Sequence, residues 1–133
     1  MTIFGAIGIA GTGMTVNRKW LDAVSDNLAN LNNAAPTDGE AFRERFVVAQ
    51  AMDYGEPAGV QVAGIELGDA EGRLVQEPGH PLADEDGYVR YPDIDMAAQM
   101  TSLIIAQRGY QANAAVVDRA KETYTAALQI GRN

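Results

Sequence analysis

The chain has no cysteine, which removes disulfide frameworks, thiolate nucleophiles and sulfur-bound metals together. Imidazole is limited to His80. Zinc and its neighbours in the transition series are therefore short of ligands, because a site normally takes three or four Cys, His or carboxylate groups. Positive charge is also scarce: ten basic residues stand against eighteen acidic ones, for a net charge of −8. Nucleic acid, bound mainly through cations on phosphate, is not a partner for such a chain. No long hydrophobic run is present. The apolar and small stretch from Ile3 to Val16 falls short of the roughly 20 residues a membrane helix needs. Arg18 is the first basic residue, so the charged leader of a cleavable signal peptide is not expected either.

What is present is unevenly spread over 133 residues, a length that suits one domain with an appendage. Residues 1–33 are electrically neutral and residues 94–133 carry +1, whereas residues 34–93 hold thirteen acidic and four basic groups. The middle must face water, while the near-neutral ends can be covered by partners without stranding many charges. The chain thus divides into an N-terminal helix in 1–33, a small acidic β-rich domain in 34–93 and a C-terminal helix in 94–133.

Both ends carry helical periodicity. Ile3, Ile7, Ala10, Met14, Asn17, Leu21, Val24, Leu28 and Leu31 follow alternating steps of four and three, the pattern of a coiled-coil seam with one polar register residue, Asn17. Met96, Met100, Leu103, Gln107, Tyr110, Ala114, Val117, Lys121, Tyr124 and Leu128 repeat it at the other end. There Ile104, Ala106, Val116, Ala120, Ala127 and Ile130 widen the apolar surface, so this helix is expected to touch more than one neighbour. Pro92 with Asp93 or Asp95 supplies a start and Gly131 a stop, predicting a helix from 94 to 130. Gly5, Gly8, Gly11 and Gly13 each cost about 1 kcal/mol relative to alanine. The first half of the N-terminal helix is therefore expected to fray in a free monomer and to order when partners cover it.

Between the helices the signals change to strand and turn. Asn30, Asn32, Asn33 and Pro36 end the first helix; Phe42–Ala49, Gly59–Leu67, Arg73–Gln76 and Tyr88–Tyr91 read as short strands joined by acidic turns, including Asp53-Tyr54-Gly55-Glu56-Pro57. Sites for chemistry are poor. Asp84, Asp86, Asp93 and Asp95 do not follow the ligand spacing of a calcium loop. Gly8, Gly11 and Gly13 follow no strand and lead to no Gly-Lys-Ser/Thr, so they are not a phosphate loop. Trp20 beside Arg18 and Lys19 offers too few cations for a nucleic-acid stacking site. His80, in Glu77-Pro78-Gly79-His80-Pro81, has no nucleophile in a recognisable frame.

Ser25-Asp26-Asn27-Leu28-Ala29-Asn30 resembles the Ser-x-Asn-Leu-Ala-Asn signature of the bacterial flagellar rod and hook proteins. Asp38 to Arg43, Glu77 to Asp84, Gly87-Tyr88-Val89 and Arg108-Gly109-Tyr110-Gln111-Ala112-Asn113 resemble stretches of the proximal rod proteins in that family, in the same order along nearly the whole chain. Leu31 to Ala35 departs from the usual pattern, and Gly109 replaces a commoner alanine or serine. The resemblance implies a mainly α fold with a small β insertion, the long terminal helices paired as a coiled-coil-like unit. It implies a structural subunit of the rod, without catalytic residues or cofactors, that transmits torque for motility. Implied partners are other rod proteins, copies of the chain, the rotor-ring adaptor and the flagellar type III export apparatus, with no nucleic acid and no small-molecule substrate. The implied place is the basal body, in the periplasm or cell wall, reached without a cleaved signal peptide. Combining stripes and motifs, the assembly interface is expected at Ile3, Ile7, Met14, Leu21, Val24, Asn27, Leu28 and Asn30, and at Met100, Leu103, Tyr110, Gln111, Asn113, Val117, Tyr124 and Leu128. The competing readings are another rod or hook-type axial subunit and, from a different class, a small acidic binding module or hydrolase using His80 and nearby carboxylates.

Overall fold

A computed structural model of the chain describes residues 2–53 and 57–132. Its elements are α1 (Ile3–Ala29), β1 (Arg45–Asp53), β2 (Pro57–Leu67), β3 (Arg73–Gln76), β4 (Tyr88–Tyr91) and α2 (Met96–Gly131). This is the expected order, helix, short strands, helix.

Thr2 caps α1, its hydroxyl accepting from the Gly5 amide, and Asn30 closes the helix, its side-chain amide donating to the Asp26 carbonyl at 2.9 Å. The helix is continuous through Gly5, Gly8, Gly11 and Gly13. At α2 the cap is Asp95 and not Asp93: its Oδ1 accepts from the amides of Ala97 (2.8 Å) and Ala98 (3.3 Å), the donors a first turn leaves free. Gly131, expected as the stop, is the last helical residue, and Arg132 is the cap.

The strands form two separate antiparallel pairs and not one unit. β1 pairs with β2 from Arg45↔Leu67 to Asp53↔Pro57, with bulges at Val48/Ala49 and Ala51/Asp53. This strand starts three residues later than the spacing predicts because Ala41 and Arg43 are engaged elsewhere, with Ala70 and Gly68. The centre of the predicted Asp53–Pro57 turn, residues 54–56, lies outside the described residues. β3 pairs with β4 from Arg73↔Tyr91 to Gln76↔Tyr88, and Ala35 bridges the other side of β4 at Arg90. Arg90 then clamps two loops, its guanidinium donating to the carbonyls of Thr37 (2.6 Å) and Glu71. Gly72 is obligatory here: its φ is +59°, and a Cβ would stand 2.1 Å from the Tyr91 carbonyl oxygen.

α1 lies between α2 and the β1–β2 hairpin, touching both. Thr12 fastens it to the hairpin, accepting from the Val60 amide at 3.1 Å while donating to the Ile9 carbonyl. The two helices run antiparallel, since Asn27 meets Gln99, Asn17 meets Gly109, Gly13 meets Asn113 and Phe4 meets Tyr124. Among the described residues, the buried hydrophobic ones are few and mostly small: Ala10, Ala23, Val24, Ala41, Val89, Ile94 and Ala106. The accessible surface is 8954 Å², whereas a compact monomer of 14.2 kDa exposes about 6,800 Å².

Candidate assembly surface

The signature stretch closing α1 is built around Asn27, 1% exposed. Its Nδ2 donates to the Arg45 carbonyl and to Gln99 Oε1, each at 3.0 Å, and its Oδ1 accepts from the Arg45 amide at 2.8 Å. One side chain thereby joins α1, β1 and α2, with both donors used and the acceptor engaged. Gln99 continues the network, donating to Glu44 Oε1, and Asp26 pairs with the Arg45 guanidinium at the surface.

Of the residues expected at an assembly interface, Val24 and Asn27 are taken up inside the chain itself. Ile3, Ile7, Met14, Leu21, Leu28 and Asn30 on the α1 side are half-buried, as are Leu103, Tyr110, Asn113 and Val117 on α2. Met100, Gln111, Tyr124 and Leu128 are exposed. Across the α1–α2 contact Asn113 lies against Gly13 and Tyr124 stands edge-on to Phe4, whereas Met100, Gln111 and Leu128 face outward.

The buried residues of α2 are Gln99 and Ala106, and Asn113, a further seven residues on, is half-buried against Gly13. The stripe read from the sequence passes instead through Met96, Met100 and Gln107, which are exposed. Small and amide residues line the contact because the helices approach closely: a Cβ on Gly13 would stand 2.8 Å from Asn113 Nδ2, and one on Gly109 2.7 Å from Asn17 Oδ1. The larger apolar groups are displaced outward. Met96, Met100 and Ile104 form one flank, Ile105 and Val116 another, and Leu128 and Ile130 lie beyond Tyr124, where every residue of α2 is exposed. Gln99 was missed by the sequence reading, though its heptad spacing from Ala106 and Asn113 carried the signal.

The acidic turns offer a contrast. Asp84 Oδ1 accepts from the amides of Tyr88 (2.8 Å) and Asp86 (3.0 Å), and the Tyr88 contact above all holds its carboxyl below the usual value. Tyr91 donates its hydroxyl to Glu77 Oε2 at 2.9 Å, which raises the phenol's pKa. His80 Nδ1 accepts from the Leu82 amide and its ring stands edge-on to Tyr91. Glu77 and His80 meet at Tyr91, while Asp84 and the ring nitrogen Nδ1 of His80 are taken up by backbone amides of their own turns. Among the described residues, no cluster of His, Cys, Asp and Glu is placed to hold a metal.

Residues 85–130 match the family model described as the flagellar basal body rod FlgEFG protein C-terminal. Over 134 aligned residues the chain is 37% identical to the flagellar basal-body rod protein FlgC of Yersinia enterocolitica and 35% to that of Escherichia coli O6:H1, covering 99% of this chain and all of each relative. The chain belongs to the FlgC family of flagellar basal-body rod proteins. Another FlgC relative, from Aquifex aeolicus, is 36% identical over 126 residues, 93% of either chain. The family match extends through the signature at Asn27 and through both terminal helices, so the polar junction and the helix contact lie within the shared region.

Proposed function

We propose that the chain is a structural subunit of the flagellar basal-body rod, assembling through its terminal helices with copies of itself and other rod proteins into the shaft that transmits torque for motility. The observation that carries this reading is the surface. It exceeds that of a compact chain of this mass by about a third, and the excess coincides with large apolar side chains on α2, Met96 (57% exposed), Leu128 (57%) and Ile130 (78%) among them. Apolar area of that extent on an acidic protein suits burial by neighbours in a permanent assembly.

In this reading the two flanks of α2 take different neighbours, and coiled-coil-like packing extends the α1–α2 contact from one subunit to the next. The chain passes through the flagellar type III export apparatus and takes its place in the periplasm or cell wall near the rotor-ring adaptor. Its weak N-terminal helix suits a subunit that must stay soluble and pliable until it is added. Relatives named as rod proteins support the structural role, and the engaged positions of His80, Asp84 and Glu77 give the hydrolase alternative no support.

Ile104→Asp and Leu128→Asp test it in a strain with this chain as its sole copy. Both side chains are exposed, so thermal unfolding of the purified chain stays unchanged while swimming is lost. Basal bodies then lack a complete rod by electron microscopy. Normal swimming by both variants overturns the reading.

A further inference from the structure

Four residues at the middle of the helix contact form a closed arrangement. Asn17 Nδ2 donates to the Gly13 carbonyl at 2.9 Å, and Asn113 Nδ2 donates to the Gly109 carbonyl at 2.9 Å. Each asparagine thus folds back over a glycine of its own helix, one turn earlier. Across the contact the roles are exchanged: the Asn113 amide lies over the space where Gly13 lacks a side chain, and the Asn17 amide lies over the same space at Gly109. The motif Gly-x-x-x-Asn therefore occurs once on each helix, and antiparallel packing sets knob against hole twice.

We propose that Gly13, Asn17, Gly109 and Asn113 are a register key, selecting the one alignment in which α1 pairs with α2. The apolar seam alone does not make this choice, because stripes with steps of three and four match again after a slip of one turn. The key forbids that slip in both directions. Sliding α1 one way sets Asn17 beside Asn113 and Gly13 beside Val117, crowding two amides in one place and a branched side chain in the other. Sliding it the other way sets Gly13 beside Gly109, leaving a void, and Asn17 beside Ile105. A polar group inside an apolar contact costs little here because its donor is already satisfied within its own helix. The key operates within one chain, so it stands independently of the rod assignment.

Exchange of knob and hole tests it. Asn17→Gly removes one knob, Gly109→Asn fills one hole, and each single variant lowers the urea midpoint. The double variant N17G/G109N rebuilds the complementarity with the asparagine on the other helix and recovers most of the loss. Helix propensity alone predicts no such recovery. Register is read separately by paired cysteines, which the cysteine-free chain permits. With the key intact, mild oxidation links Phe4→Cys to Tyr124→Cys over Phe4→Cys to Leu128→Cys by on the order of tenfold. In the N17A/N113A background that preference falls toward one. Losses that simply add in the double variant, a double variant that does not fold, or an unchanged cross-link preference overturns the proposal.

Discussion

Asn27 has no freedom left to serve a neighbour: both amide hydrogens and the carbonyl are engaged with Arg45 and Gln99. The asparagine of the rod signature is therefore an internal rivet. Asn27→Ala leaves the part-buried Arg45 backbone groups and the buried Gln99 carbonyl without this partner, so it destabilises the chain by about 2 kcal/mol, read from urea unfolding. Asp84 sets a different dependence. Its folded pKa is lowered, so its contribution is present above the unfolded pKa near 4 and is lost as pH falls through the lower folded value. Asp84→Asn keeps an acceptor for Tyr88 and Asp86 but does not titrate. The urea midpoint of that variant falls less steeply than the parent's between about pH 4 and pH 2. At this scale the sequence marked Asn27 and Asn113 by motif but not their partners within the chain, because spacing shows which face a residue shares and not what lies across it. Thr12 went unmarked since its partner is 48 residues away in the chain.

At the scale of elements, both helices and all four strands were legible, β1 with its bounds displaced, because caps, turns and periodicity are local. The division of the β region into two pairs was not, for Arg90 ties β4 to loops at Thr37 and Glu71 and Asn27 ties the start of β1 to α1, contacts distant in sequence. The glycines of α1 separate by use. Gly13 makes room for Asn113, whereas a methyl at Gly8 or Gly11 would meet nothing within 4 Å. Within one chain these two weaken the helix without any compensating contact. Gly8→Ala and Gly11→Ala accordingly stabilise the isolated chain by roughly 0.5–1 kcal/mol each in urea unfolding. If a rod neighbour approaches the helix backbone there, the same variants swim poorly, and gained stability with lost motility is the expected pair of results.

As a whole molecule, the chain is a thin core of small residues with its larger apolar groups outside, an arrangement that a solitary protein has no reason to keep. The part of α2 past Tyr124 is the plainest case, adding length and apolar surface beyond the helix contact. Deleting residues 127–133 leaves the unfolding midpoint of the purified chain within about 0.5 kcal/mol of the parent, and swimming is abolished in the same strain used for the aspartate variants.

Antiparallel pairing also fixes an order of events. Phe4 meets Tyr124 and Asn27 meets Gln99, so the earlier a residue of α1 emerges, from a ribosome or from any narrow conduit, the later its counterpart follows. Closure begins at the Asn27 end and reaches Phe4 only when the chain is almost fully released. Until then the first helix has only the β1–β2 hairpin against it, and its α2-facing side stays without cover from its own chain.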